Sequence, residues 1–162
     1  MKSLFSGKKY IGAAFILFLG LGSLSVTKHS HAQTITENIP LSFGRFVLVD
    51  NNAVRRLRIR TNCTENADPE YMFIIDPQCG NYTVTGYPPF TPLTVTLANG
   101  ALNGPGANIF RLRALATVPT TITTDATGEA TFEVRGRLDS SGNGGGYIDG
   151  GYTGSFTMTV TD

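Results

Sequence analysis

Beyond residue 33 the chain alternates apolar and polar positions with a period of two. In VRRLRIRT, Val54 to Thr61, Leu57 and Ile59 share one side and Arg56, Arg58 and Arg60 the other. FRLRA repeats the pattern, with Phe110, Leu112 and Ala114 against Arg111 and Arg113. TFEVRGRL sets Phe132, Val134 and Leu138 against Glu133, Arg135 and Arg137. SFTMTVTD closes the chain with Phe156, Met158 and Val160 inward and Thr157, Thr159 and Thr161 outward. Such alternation marks strands that bury one face. Turn-forming clusters separate them: Asp50-Asn51-Asn52, Asn99-Gly100, Asn103 to Gly106, Asp125 to Gly128, and the glycine-rich run Gly142 to Gly151. No segment carries a capped apolar stripe of helical period. The pattern predicts an all-β fold, an antiparallel β-sandwich of about seven to eight strands with no obvious gap for a partner to fill.

The start of the chain is different. Lys2, Lys8 and Lys9 precede an apolar run, Ile11 to Val26, of 16 residues. That is shorter than the roughly 20 a spanning helix needs. Ser30-His31-Ala32 has the small-x-small form of a signal-peptidase site, so residues 1–32 are expected to be a signal peptide cut between Ala32 and Gln33. An uncleaved anchor is the alternative. Residues 33–162 are then one exported domain with no membrane span, destined for the periplasm, the cell surface or the medium.

Cleavage changes the available chemistry. Lys2, Lys8, Lys9 and Lys28 account for every lysine, and His29 and His31 are the only histidines. The mature domain keeps nine arginines against twelve carboxylates, a net charge of −3. A mildly acidic, lysine-free domain is a poor ligand for nucleic acid. Without imidazole there is no Ser-His-Asp or Cys-His nucleophile, and zinc sites usually draw on His or several Cys. No catalytic residue, metal or cofactor is therefore expected. Cys63 and Cys79, sixteen positions apart, are expected to pair in an exported protein. The disulfide would be worth about 3 kcal/mol by chain entropy. A redox-active dithiol is the alternative, without the adjacent spacing such pairs use.

Four motifs occur in a recognisable order: LSFGRF (Leu41 to Phe46), NYTVTGYPPFTPLTVTL (Asn81 to Leu97), TTDATGEATFEVRGRL (Thr123 to Leu138) and GGYTGSFTMTV (Gly150 to Val160). They resemble the domain of unknown function 4402 family of bacterial exported β-domains, which is similar in outline to spore-coat-U-like and fimbrial pilin subunits. The resemblance covers most of residues 39–162. It implies an immunoglobulin-like sandwich with a structural or fimbria-like role and no established activity. Two features depart from that pattern. QTITEN, residues 33–38, is short for the donor arm of a pilin, and Cys63 to Cys79 looks like an insert.

Several residues are candidates for function. Tyr71-Met72-Phe73-Ile74-Ile75 forms a continuous apolar run inside the insert. It reads either as a strand buried on both faces or a hairpin arm over one end of the sandwich, or else as an exposed patch for a partner. Arg56, Arg58, Arg60, Arg111, Arg113, Arg135 and Arg137 lie on the outward sides of three strands. They read either as a solvated face paired with Glu133 and other carboxylates or as a band that grips anionic polymers. Asp68, Glu70 and Asp76 cluster in the disulfide loop; they read as solvated loop charge, with paired acids for glycoside hydrolysis as the alternative, though nothing in the sequence fixes that geometry. Asp139, Asn143 and Asp149 offer calcium-binding oxygens without EF-hand spacing. The glycine run reads as a long, mobile hairpin turn. Asn62 and Asn81 head glycosylation sequons that a bacterial chain would leave unmodified. Partner pairing through the Ile35 to Phe43 region or through Phe156, Met158 and Val160 is the expected route of assembly, with related subunits or itself. The expected function is that of a non-enzymatic structural or surface-interaction protein. The alternative is a monomeric module binding anionic glycan or envelope polymer.

Overall fold

The computed structural model of the protein describes residues 32–162; the expected signal peptide as far as His31, with His29, lies outside the described residues. Thirteen short strands form: β1 (Thr34–Ile39), β2 (Arg45–Leu48), β3 (Arg56–Ile59), β4 (Glu65–Ala67), β5 (Tyr71–Ile75), β6 (Gly80–Thr85), β7 (Pro92–Leu97), β8 (Gly100–Asn103), β9 (Phe110–Val118), β10 (Ile122–Thr123), β11 (Ala130–Asp139), β12 (Thr153–Ser155) and β13 (Met158–Thr161). The main sheet runs β1-β6-β11-β9-β8-β12, with β3 joined to β11 and β4 to β3. Two smaller sheets, β10-β7-β13 and β2-β5, cover its inner side. Every pairing is antiparallel. The predicted antiparallel sandwich is what the chain forms. The strands outnumber the expected seven or eight because the chain changes layers within them. SFTMTVTD breaks at Phe156-Thr157: β12 before it pairs with β8 in the main sheet, and β13 after it pairs with β7 opposite.

β11 organises the molecule. Its first half pairs with β6 and its second half with β3, while its other edge pairs with β9. The alternation read from sequence explains its burial: Phe132, Val134 and Leu138 are 2%, 0% and 1% exposed. Two cores result. One gathers Phe43, Leu57, Ile59, Tyr71, Phe110, Leu112 and Leu138 beneath β2-β5. The other gathers Tyr82, Val84, Tyr87, Leu93, Ile122, Phe132 and Val134 beneath β10-β7-β13. Only the half-buried Leu41, Leu115 and Phe156 pack against both. The domain therefore has a seam.

One expectation from the alternation is corrected. Ala114 was to share the inward face of Phe110 and Leu112, yet it is exposed. The β9–β11 register shifts between Arg135 and Arg137, and Ala114 has φ +49°. This is a β-bulge: one extra residue of β9 is accommodated without a partner, and the strand's facing reverses beyond it. Leu115 and Thr117 point inward after the bulge, as Phe110 and Leu112 do before it.

Cys63 and Cys79 are disulfide-bonded, with Cα atoms 5.3 Å apart. The intervening chain leaves the main sheet after β4, crosses to the second layer as β5 and returns at β6. The bond closes that excursion. The glycine-rich segment is also tied down, contrary to the free hairpin turn read from its composition. Asn51, buried, donates through Nδ2 to Ser141 Oγ (2.8 Å) and the Gly145 carbonyl (2.7 Å), and accepts from Gly142 N at 2.9 Å. Tyr147 stacks on Phe110 with ring centroids 4.1 Å apart. Between β10 and β11, Gly128 holds φ +79°, and a Cβ there would lie 2.0 Å from the Tyr87 carbonyl oxygen. Only glycine fits that turn.

Candidate functional sites

The seam opens into a groove of about 1060 Å³. Its floor is the main sheet, through Tyr82, Leu102, Phe110, Leu112 and Leu138, and its walls are β2 on one side and Tyr147 to Met158 on the other. Among the described residues, β2 pairs only with β5, and β13 only with β7. Each therefore leaves one edge of backbone donors and acceptors without a strand partner. The expectation that no gap exists is corrected: the second layer is two separate ribbons rather than one sheet. Sequence alternation reports which face of a strand is buried, but it is silent on which edges are paired.

β1 borders the same groove, to which it contributes Ile35 and Glu37. All six of its residues are exposed and it is attached through β6 alone. Glu37 accepts a 2.8 Å bond from the Tyr82 hydroxyl, and Asn38 Nδ2 donates to Asn81 and Thr83, each at 2.8 Å. Burial and the bond to Glu37 push the Tyr82 phenol above its ordinary pKa. At the other end of the chain, Phe156, Met158 and Val160 are half-buried against the second core, so they belong to the domain's own packing.

The apolar run of the insert alternates as far as Ile74, and Ile75 leaves that alternation where the β2–β5 register shifts. Tyr71 is buried and Phe73 packs on the first core, whereas Met72, Ile74 and Ile75 are 59%, 63% and 58% exposed. Burial on both faces is thus corrected, because β5 is covered by the main sheet on one side only. Val47, opposite Met72 on β2, and Val49 are also exposed, giving the β2-β5 ribbon an apolar outer surface.

The outer face of the main sheet brings most of the arginines together. Arg58, Arg137 and Arg113 are successive cross-strand neighbours on β3, β11 and β9. One step along, Arg56, Asp139 and Arg111 form a second row. Asp139 is the hub. Its side chain is 9% exposed; Arg137 donates to it from Nε at 2.7 Å and from Nη2 at 2.9 Å, and Arg113 Nε lies at 3.8 Å. Arg56, Arg58, Arg60, Arg111 and Arg135 form no ion pair among the described residues. Glu133, the expected partner, lies instead against the disulfide, 3.3 Å from Cys63 Sγ. Like charges directly opposite one another destabilise a sheet, by about 0.2–1 kcal/mol for each pair. Asp139 relieves only part of that. Parity could have found this hub, since Asp139 continues the outward series Glu133, Arg135, Arg137.

The other candidates do not converge. Asp68 accepts from the Arg56 amide at 2.9 Å, Glu70 pairs with Arg55 at 2.8 Å, and Asp76 is exposed. Asp139, Asn143 and Asp149 do not come together either: Asp139 is engaged by Arg137, and Asn143 bonds Asn108 at 2.8 Å. Two carboxyls, the half-buried Asp50 and the exposed Asp125, are shifted downward. Asp50 is held below the usual carboxylate range by its bond from Arg55 and the Asn52 amide. Asp125 is held there by the Thr127 hydroxyl and the Glu129 and Thr127 amides. A lowered folded-state value means that stability from these groups is complete above about pH 4 and is lost as the pH falls through the lowered values. Asp125→Asn is expected to flatten the fall in melting temperature between pH 5 and pH 2. An unchanged profile would show that this turn plays no part in acid sensitivity.

No helix among the described residues is long and apolar enough to cross a membrane. Residues 33–161 match the family model described as Domain of unknown function (DUF4402), and the chain belongs to that family. No curated protein and no solved structure matches.

Proposed function

We propose that this DUF4402 domain is a non-enzymatic building block of the cell envelope or surface, a fimbria-like subunit that joins copies of itself by strand pairing after export. The observation that carries the reading is the groove bordered by the unpaired edge of β2 and by Tyr147 to Met158, where β13 begins. A strand laid there would meet main-chain donors and acceptors on both sides and an apolar floor below, and it would convert two ribbons into one continuous layer. Pairing of this kind is tight and tolerant of side-chain identity because the backbone supplies the bonds. β1 of a neighbouring copy is the donor. It is exposed along its length, held by a single edge, and carries Ile35 and Ile39, each 45% exposed, as apolar groups for the floor.

Protein exported by its native host and electrophoresed without boiling is expected to give an SDS-resistant ladder. Deleting residues 33–39 should abolish the ladder and shift the melting temperature by no more than a few degrees, because neither core contains a β1 side chain. A ladder that survives the deletion removes β1 as donor. A wild-type monomer under all conditions removes the assembly reading.

A further inference from the structure

We infer that the outer arginine rows are a binding face for a linear anionic polymer, engaging successive carboxylate or phosphate groups across β3, β11 and β9. The face lies opposite the groove and does not depend on assembly. Neighbouring strands bring residues in a row about 5 Å apart, and alternate residues along a strand are roughly 6.6 Å apart. The two rows therefore offer a lattice of guanidinium groups, broken only where Asp139 stands between Arg56 and Arg111.

Asp139 gives this face its order. By holding Arg137 through two nitrogens it fixes the central guanidinium, while Arg56, Arg58 and Arg111, all exposed, keep their donors available. Guanidinium presents a planar fork that fits carboxylate and phosphate bidentately, and the mature domain uses arginine for every cation. Five of its nine arginines lie in these two rows, on a domain of net charge −3. Anions are repelled elsewhere and drawn to this island. The surface is a sheet face rather than a pocket, so one small anion would be held weakly. A polymer gains by presenting many charges at once. The flanks steer a polymer along the row of Arg58, where Asn66 is the neighbour, because Asp68 stands beside Arg56 in the other row; Ala101 and Ser155 continue the row of Arg111.

Calorimetry on the exported protein at low salt tests this with polygalacturonate as the carboxylate probe, polyphosphate as the phosphate probe and dextran as the uncharged one. Binding to at least one polyanion and not to dextran is expected, weakening as salt rises; a response to one probe alone identifies the source of the anion. The triple variant Arg56→Gln, Arg58→Gln, Arg111→Gln should bind at least tenfold more weakly, with a shallower salt dependence. Its melting temperature should hold or rise, because like-charge contacts are removed, and the ladder proposed for assembly should persist. Absence of binding to both polyanions or unchanged affinity in the variant would overturn the inference.

Discussion

Phe132→Ala is expected to cost about 3–5 kcal/mol, the range for removing a buried phenyl ring from a packed core. Phe132 is 2% exposed near the start of β11, with the Tyr82 ring 6.3 Å away on β6. It is the largest side chain among those fully buried. β11 pairs with three other strands, so the surroundings cannot collapse into the vacated space without disturbing the whole main sheet. Domains are stable by only about 5–15 kcal/mol in total, which makes this loss a large fraction of what holds the sandwich together. Urea denaturation should show the midpoint falling with the slope little changed, and Phe132→Leu should recover most of the difference. A midpoint within experimental error of the wild type would mean that β11 is not the centre of the second core.

Asp139→Ala is expected to cost about 3 kcal/mol, because it leaves Arg137 partly buried and without its counter-charge. The side chains of Asp139 and Arg137 are 9% and 21% exposed, so water screens the repulsion of the remaining guanidiniums incompletely. Three tests separate charge from packing. Asp139→Asn should cost less, since it keeps a hydrogen-bond acceptor. Molar salt, which shortens the screening length to about 3 Å, should return part of the lost stability. Adding Arg137→Gln to Asp139→Ala should return more. If Asp139→Ala melts with the wild type, the carboxylate is not neutralising the rows.

Much of the fold was legible because burial follows parity. Leu57 and Ile59 against Arg56 and Arg58, and Phe132 and Val134 against Glu133 and Arg135, fall on the expected sides. The limits have the same origin. Parity assigns faces within a strand, so it missed Ala114, where a bulge resets the count. It could not find the groove, which depends on β2 and β13 lacking neighbours. The apolar run of β5 gave no alternation to read, and only the one-sided cover of the main sheet sorts Tyr71 and Phe73 from Met72 and Ile74. Long-range placement was equally hidden: Arg58, Arg137 and Arg113 are far apart in sequence, and register alone makes them neighbours.

The irregularity at Ala114 has a consequence for how this chain can change. Phe110 to Arg113 and Leu115 to Val118 keep two different phases, and the extra residue between them lets each half stay in step with β11. Point changes on either side leave both phases intact. Removing that one residue would join the two halves into one unbroken alternation, with Arg113 outward and Leu115 inward opposite Gly136, so that neither half loses its place against β11. Ala114 is thus the position at which this strand can shorten without any side chain changing face.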